Sequence, residues 1–381
     1  GAGNINLNSN TLTAGDTTSP TFSGVMSGAG NYVKEGTGTT TLSGTNTYTG
    51  TTSINTGALT VSGAGRLSDS TAVTVASLAT YNVVSSDIIG SIAGAGNTVL
   101  TGDLTAGGDN SSTAVSGVIS GAGALTKAGS GTLTLTGVNT YGDTTISAGT
   151  LAVDVSALPA GENVSNAATL DFNVASDSGT YTGNISGTSG VVTMSGASAN
   201  ITLSGAISGT DQSVTTSSSG TLILSGANTY TGVTTLNGTS TLQLAGTSSG
   251  SAASAYTVNT GTTLDVNAST AIGSLTGAGG VDITTSTVLS TGVDDTSTAY
   301  TGTATGVGGL TKAGSGTFTL SGTNTYTGAT LVSAGTLATS TTTAIADTSA
   351  VSVTGGATFD MNESLTVGSI NGGGDVLLAS T

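Results

Sequence analysis

The 381 residues carry 20 acids against four bases, a net charge of −16, with charged residues at 6%, aromatics at 3% and no His, Cys or Trp. A chain without His or Cys builds neither a Ser-His-Asp nor a Cys-His catalytic centre and lacks the usual zinc ligands. Four bases, Lys34, Arg66, Lys127 and Lys312, make no patch for nucleic acid or anionic lipid.

The 62 glycines follow no G-x-y period and there are only two prolines, which excludes collagen and a polyproline stalk. Scarce charge with regular short apolar runs excludes a disordered polyelectrolyte. No apolar run approaches the roughly 18 residues of a bilayer span. The absence of cysteine removes disulfides and is compatible with an extracellular setting. The opening GAGNINLNSN is not a signal peptide and does not begin with Met, so the chain reads as a processed product or an excerpt.

In chain order, three anchors succeed one another: S/T-G-x-x-S/T-G from Ser23, GTTTLSGTNTYTG from Gly38, and Gly-Ser/Asn-Ile/Leu-x-Gly from Gly90. The series returns at Ser116, Gly131 and Gly183, at Ser204, Gly220 and Gly273, and at Thr301, Gly316 and Gly368. The asparagines of the long motif, Asn46, Asn139, Asn228 and Asn324, lie 93, 89 and 96 residues apart. The chain reads as one continuous domain of four repeats, approximately 1–93, 94–186, 187–276 and 277–371, with 372–381 starting a further one.

Within each repeat apolar residues alternate. Leu133 and Leu135 share slots with Leu222/Leu224 and Phe318/Leu320, and Leu170, Phe172 and Val174 alternate with Asp171 and Asn173. A period of two marks a strand with one face buried, and no window carries a helical stripe. Strand-like pieces recur about every 18–20 residues, roughly five per repeat. Asn237-Gly238 and Asn371-Gly372 are hairpin dipeptides, but they occupy unmatched slots. Near-identical units at a fixed period stack in register. The predicted fold class is therefore all-β, a single parallel β-helix (β-solenoid) of about 20 rungs and roughly 95 Å. Leu42, Leu135, Leu224 and Leu320 are placed in its bore, as are Leu59, Leu151, Leu242 and Leu337.

The segment SGVISGAGALTKAGSGTLTLTGVNTYGDTTISAGTLAV, Ser116 to Val153, resembles the passenger-associated β-strand repeat of bacterial autotransporters and large surface adhesins. The match recurs from Ser23 and from Gly308, and in a degenerate copy around Gly220 that lacks the lysine. The resemblance implies a right-handed β-helical stalk displayed outside a Gram-negative cell, with a scaffold or adhesive role. The family's C-terminal translocating barrel is not visible in this sequence.

Candidate chemistry is sparse. Carboxylate pairs can hydrolyse glycosides, but the only adjacent acids, Asp294-Asp295, read as a solvated loop, and no enzyme activity, cofactor or metal site is expected. Asp171, Asp265 and Asp360 share one slot, held by Asn82 in the remaining copy: a recurrent cation site, or solvent-side strand positions bonding nearby backbone. Neither the calcium-binding nonapeptide nor EF-hand spacing occurs. The Gly-rich GAGAL, GAGG and GGGD segments read as corners, because no GxxxxGK[ST] or following helix accompanies them.

Tyr48, Tyr141, Tyr230 and Tyr326 read as partly buried corner packing, or as a sugar-binding ladder whose members, about 24 Å apart, form no single platform. Lys34, Lys127 and Lys312 share a slot held by Thr216 in the degenerate copy, and read as solvated turn lysines or as a charge row guiding lateral packing. Four tryptic sites on a rigid fold suggest protease resistance. Gly1-Ala2-Gly3 repeats the phase of Gly94-Ala95-Gly96 and Gly372-Gly373-Gly374, and no capping repeat is visible, so the ends are expected to continue into a longer array or a second copy. The expected role is a structural extracellular stalk or filament of the Gram-negative cell surface, active in surface and cell adhesion and biofilm. Its expected partners are itself, cell or abiotic surfaces and glycans. The alternative is a specific adhesin binding a receptor or glycan through loops such as Gly107–Ser112 or Ser248–Ala255.

Overall fold

The computed structural model describes residues 3–173, 178–196 and 200–378. Gly1, Ala2, Val174 and residues 379–381, invoked above for phase and alternation, lie outside them. The fold is a parallel β-solenoid of about 18 turns. The described strands number 47, each two to five residues long. One 3₁₀ turn, Val155–Ala157, is the only helical element among the described residues, and no helix is long and apolar enough to cross a membrane.

The chain divides into two compact units, residues 1–172 and 173–381. In the first, each full turn visits three faces. Ala72–Val75 lies on the first, Ala79–Val83 on the second and Asp87–Ile89 on the third, and Ser91–Gly94 returns to the first, where Val73 pairs with Ile92. Nine strands stack in parallel on the first face, from Thr11–Ala14 to Thr169–Phe172. In the second unit ten strands stack on one face, from Val191–Met194 to Asp375–Leu378.

Alternation places the core. Leu42, Leu59, Leu135, Leu151, Leu224, Leu242, Leu320 and Leu337 are all at most 1% exposed, as predicted. Threonines between them face out and are half-exposed, and their β-branched side chains suit the pleat. The third anchor residue set is explained by its final glycine. Gly94, Gly277 and Gly372 turn the corner with φ of 122°, 107° and 115°, and a Cβ on any of them would stand 2.0 Å from a carbonyl oxygen of the preceding turn.

The number of turns per repeat departs from the expected five. Turns take up to 23 residues, as between Gly277 and Tyr300. From Asn31–Lys34, four turns along the first face reach Thr113–Val115, and the matching strand Leu125–Lys127 lies two faces further on. The second unit behaves alike. Ser213–Thr216 is followed four turns later by Thr298–Tyr300, and Gly309–Lys312 again lies two faces beyond. A repeat thus spans about four and two-thirds turns, and matching residues of successive copies within a unit point in different directions.

Candidate functional site

The recurrent residues of the repeat meet inside the coil. Lys34, Lys127 and Lys312 each end a strand at an inward position, so the side chain lies in the interior, at most 1% exposed. Lys34 Nζ donates to the carbonyls of Glu35 (2.6 Å), Gly36 (2.8 Å) and Thr56 (3.2 Å). Lys127 Nζ repeats the set with Ala128 (2.6 Å), Gly129 (2.8 Å) and Ala148 (3.2 Å). Lys312 repeats it again with Ala313, Gly314 (2.8 Å) and Ala334 (3.3 Å). Three ammonium protons match three carbonyls, which compensates burial of the charge. The solvated-turn and lateral-packing readings of these lysines are therefore overturned. Position parity decides: each lysine occupies a core slot, and only its tip reaches the polar corner.

Burial lowers the affinity of all three ammonium groups for protons, and nearby carboxylates oppose the shift: Glu35 and Asp16 at Lys34, Asp109 at Lys127, Asp295 and Asp294 at Lys312. Asp16, Asp109 and Asp294 stand 18 residues before the three lysines, a slot the sequence reading missed. Each closes a small turn. The Oδ1 atom accepts the backbone N–H two residues on, from Thr18 (2.7 Å), Ser111 (2.9 Å) or Thr296 (3.1 Å), and also that residue's hydroxyl. The degenerate copy has Ser198 and Thr216 at the two slots, so acid and base are lost together. There, Thr216 is fully buried and its hydroxyl bonds that of Ser240 at 2.6 Å, a neutral substitute.

Asn46, Asn139, Asn228 and Asn324 are 3–4% exposed, and each amide joins three successive turns. The Oδ1 atom accepts a backbone N–H one turn back, from Met26 (2.9 Å), Ile119 (2.7 Å), Ile207 (2.8 Å) or Ala304 (2.7 Å). Nδ2 donates one turn forward, to the carbonyl of Arg66 (2.7 Å), Ala157 (2.7 Å), Ser249 (2.7 Å) or Ala344 (2.8 Å). The signal that could have found this role was the presence of asparagine at the same slot of every copy.

Tyr48, Tyr141, Tyr230 and Tyr326 are at most 1% exposed, so the corner tyrosines are buried outright and display no ring for a sugar. Each hydroxyl bonds a buried threonine: Tyr48 to Thr52 (2.5 Å), Tyr141 to Thr144 (3.1 Å), Tyr230 to Thr234 (2.7 Å) and Tyr326 to Thr330 (2.7 Å). In the fourth copy the chain continues through Ser349 to the carbonyl of Gly328. Burial pushes the phenols of Tyr141 and Tyr326 up to about 12. The about four and two-thirds turns between copies also shorten the expected axial spacing to roughly 22 Å.

The Asp171, Asp265 and Asp360 slot lies on half-buried, outward strand positions. Their neighbours differ: Ala152 beside Asp171, Gln243 and Asp282 beside Asp265, Ala338 and Leu377 beside Asp360. Asp265 Oδ2 accepts from Gln243 Nε2 (2.9 Å) and Asn267 Nδ2 (3.2 Å), while Asn82 Nδ2 donates to Thr60 Oγ1 (3.1 Å). Among the described residues no group of three or more acids is placed to hold a metal ion. Asp294-Asp295 forms a turn in which Asp295 Oδ1 accepts the Ser315 N–H at 2.6 Å. Of the two loops considered for receptor contact, residues 108–112 are exposed, whereas Ser249, Ser251 and Ser254 are fully buried.

Residues 33–61, 125–153, 214–238 and 310–338 match the family model of the passenger-associated-transport-repeat. These segments bracket the Lys, Asn and Tyr corners just described. The adhesin BmaC autotransporter of Brucella suis biovar 1 (strain 1330) is 36% identical over 164 residues, 40% of this chain and 5% of that protein. The chain thus spans a small fraction of the relative's length. No solved structure matches. The chain thus carries four copies similar to that repeat, wound into a parallel β-solenoid, and part of it is similar to an autotransporter adhesin; both likenesses point outside a Gram-negative cell, to its surface.

Proposed function

We propose that the chain is a structural section of a surface stalk or filament, contributing to adhesion to surfaces or other cells, and that it is not an enzyme. One observation carries this reading: the lysines and asparagines that recur from copy to copy face inward and bond one turn to the next. The repeated tyrosines fill the interior beside them.

A second reading, specific receptor binding through a loop, is favoured at one place, the exposed residues 108–112. The two separate in one experiment. The chain is displayed on a non-adherent Gram-negative cell, projections are viewed by electron microscopy, and attachment to glass and to other cells is counted. The stalk reading expects extended projections and attachment that survives replacement of residues 108–112 by a Gly-Ser linker. Compact knobs, or attachment abolished by that replacement, would overturn it.

A further inference from the structure

A groove in the fourth copy has the composition of a ligand site. It encloses about 310 Å³ and runs between Thr323–Thr327 on one turn and Thr343–Thr348 on the next. That volume is at the small end of ligand pockets, suited to one compact molecule. The alternating backbone builds one wall. Asn324 and Tyr326 point inward and are buried, so Thr323, Thr325 and Thr327 project outward along the rim. The opposite wall is held to it by the Asn324 N–H on the Thr343 carbonyl (2.9 Å) and Asn324 Nδ2 on the Ala344 carbonyl (2.8 Å). The hydroxyls of Thr323 and Thr343 close one end at 3.0 Å. The shape is therefore preformed.

Within this frame, the side chains of Thr325, Thr327, Thr348 and Asp347 are exposed and make no hydrogen bond among the described residues. Three hydroxyls, each donor and acceptor, converge with one carboxylate over the buried Ile345 and the half-buried Ala346. Polyhydroxylated rings present that pairing of hydroxyls with an apolar C–H face. No basic side chain lines the groove, so it offers nothing to an acidic ligand.

We infer that this groove binds a single neutral or aminated sugar residue, with Asp347 accepting from a sugar hydroxyl or ammonium group. The first copy carries Thr45, Thr47 and Thr49 opposite Asp69 and Ser70, but has the exposed Arg66 where the fourth has Thr343. The second has Val138 and Gly142 at the first and third rim positions. The groove is a feature of the fourth copy, unlike the stacking residues, and does not depend on the stalk reading.

Saturation-transfer NMR on the full chain tests it with glucosamine, glucose and glucuronate as probes. Glucosamine and glucose should show transfer with Kd on the order of 1 mM, and glucuronate none. The double variant Thr327→Val, Asp347→Ala should weaken glucosamine binding at least tenfold. Both residues are exposed, and an unchanged melting curve would show that the variant is folded. Absence of transfer to glucosamine and glucose alike, equal transfer to glucuronate, or a variant that binds as before would each overturn the assignment.

Discussion

Asn139 satisfies a backbone donor on one turn and a backbone acceptor on another, both inside the coil. Replacing it with alanine strands both groups at once. At roughly 1–3 kcal/mol for each unsatisfied buried group, Asn139→Ala should cost about 2–6 kcal/mol, read as a fall in denaturant midpoint. Asp87 is the acid to watch with pH. It is 1% exposed and accepts the Tyr81 hydroxyl at 2.5 Å and the Leu67 N–H at 3.2 Å. Burial raises its pKa to about 6, against the hydrogen bonds that lower it. The fold therefore holds the proton more tightly than the unfolded chain. Its extra stability, about 3 kcal/mol, is complete below pH 3.8 and is lost as pH rises through about 6. Melting at pH 4.5 and 7.5 should show the first unit more stable in acid, and Asp87→Thr, the residue at the matching Thr270 slot, should flatten that difference. Among residues, burial of the leucines was legible because period two is unambiguous. Burial of the lysines was not, because an inward ammonium is acceptable only where three carbonyls of two different turns converge, and no local pattern reveals that.

For the strand, the unit of stability is the ladder step. Leu135 pairs with Val115 and Val153 inside, whereas Thr134 lies outside between Ala114 and Ala152. Leu135→Asp should cost on the order of 3 kcal/mol or more, and Thr134→Asp less than about 1 kcal/mol, with hydrogen exchange rising first in adjoining turns. Equal losses would reverse the assignment of faces. Parallel stacking and the glycine corners were readable from the sequence, since Gly94 and its counterparts recur where the chain must bend. The three-faced turn was not. Strands of two to five residues are shorter than the windows in which alternation can be measured, so three short sides merged into one, and a turn was counted where only part of one lay.

At the scale of the chain, charge is sorted by depth. Among the bases only Arg66 is exposed; the three lysines are enclosed. Native protein treated with trypsin and then with an amine-reactive reagent should be cut after Arg66 alone and leave Lys34, Lys127 and Lys312 unmodified by mass spectrometry, until denaturant is added. The surface is otherwise acidic, and chelation of calcium should move the melting temperature little.

The unequal fit of repeat and turn has a consequence for how such chains lengthen by duplication. Inserting one copy of about 93 residues within a unit advances every downstream outward group by a non-integer number of turns, and so swings it through roughly 120° about the coil. Three insertions return it to its starting direction. Copy number then sets bearing as well as reach, and two relatives differing by one copy would present the same groove to different neighbours.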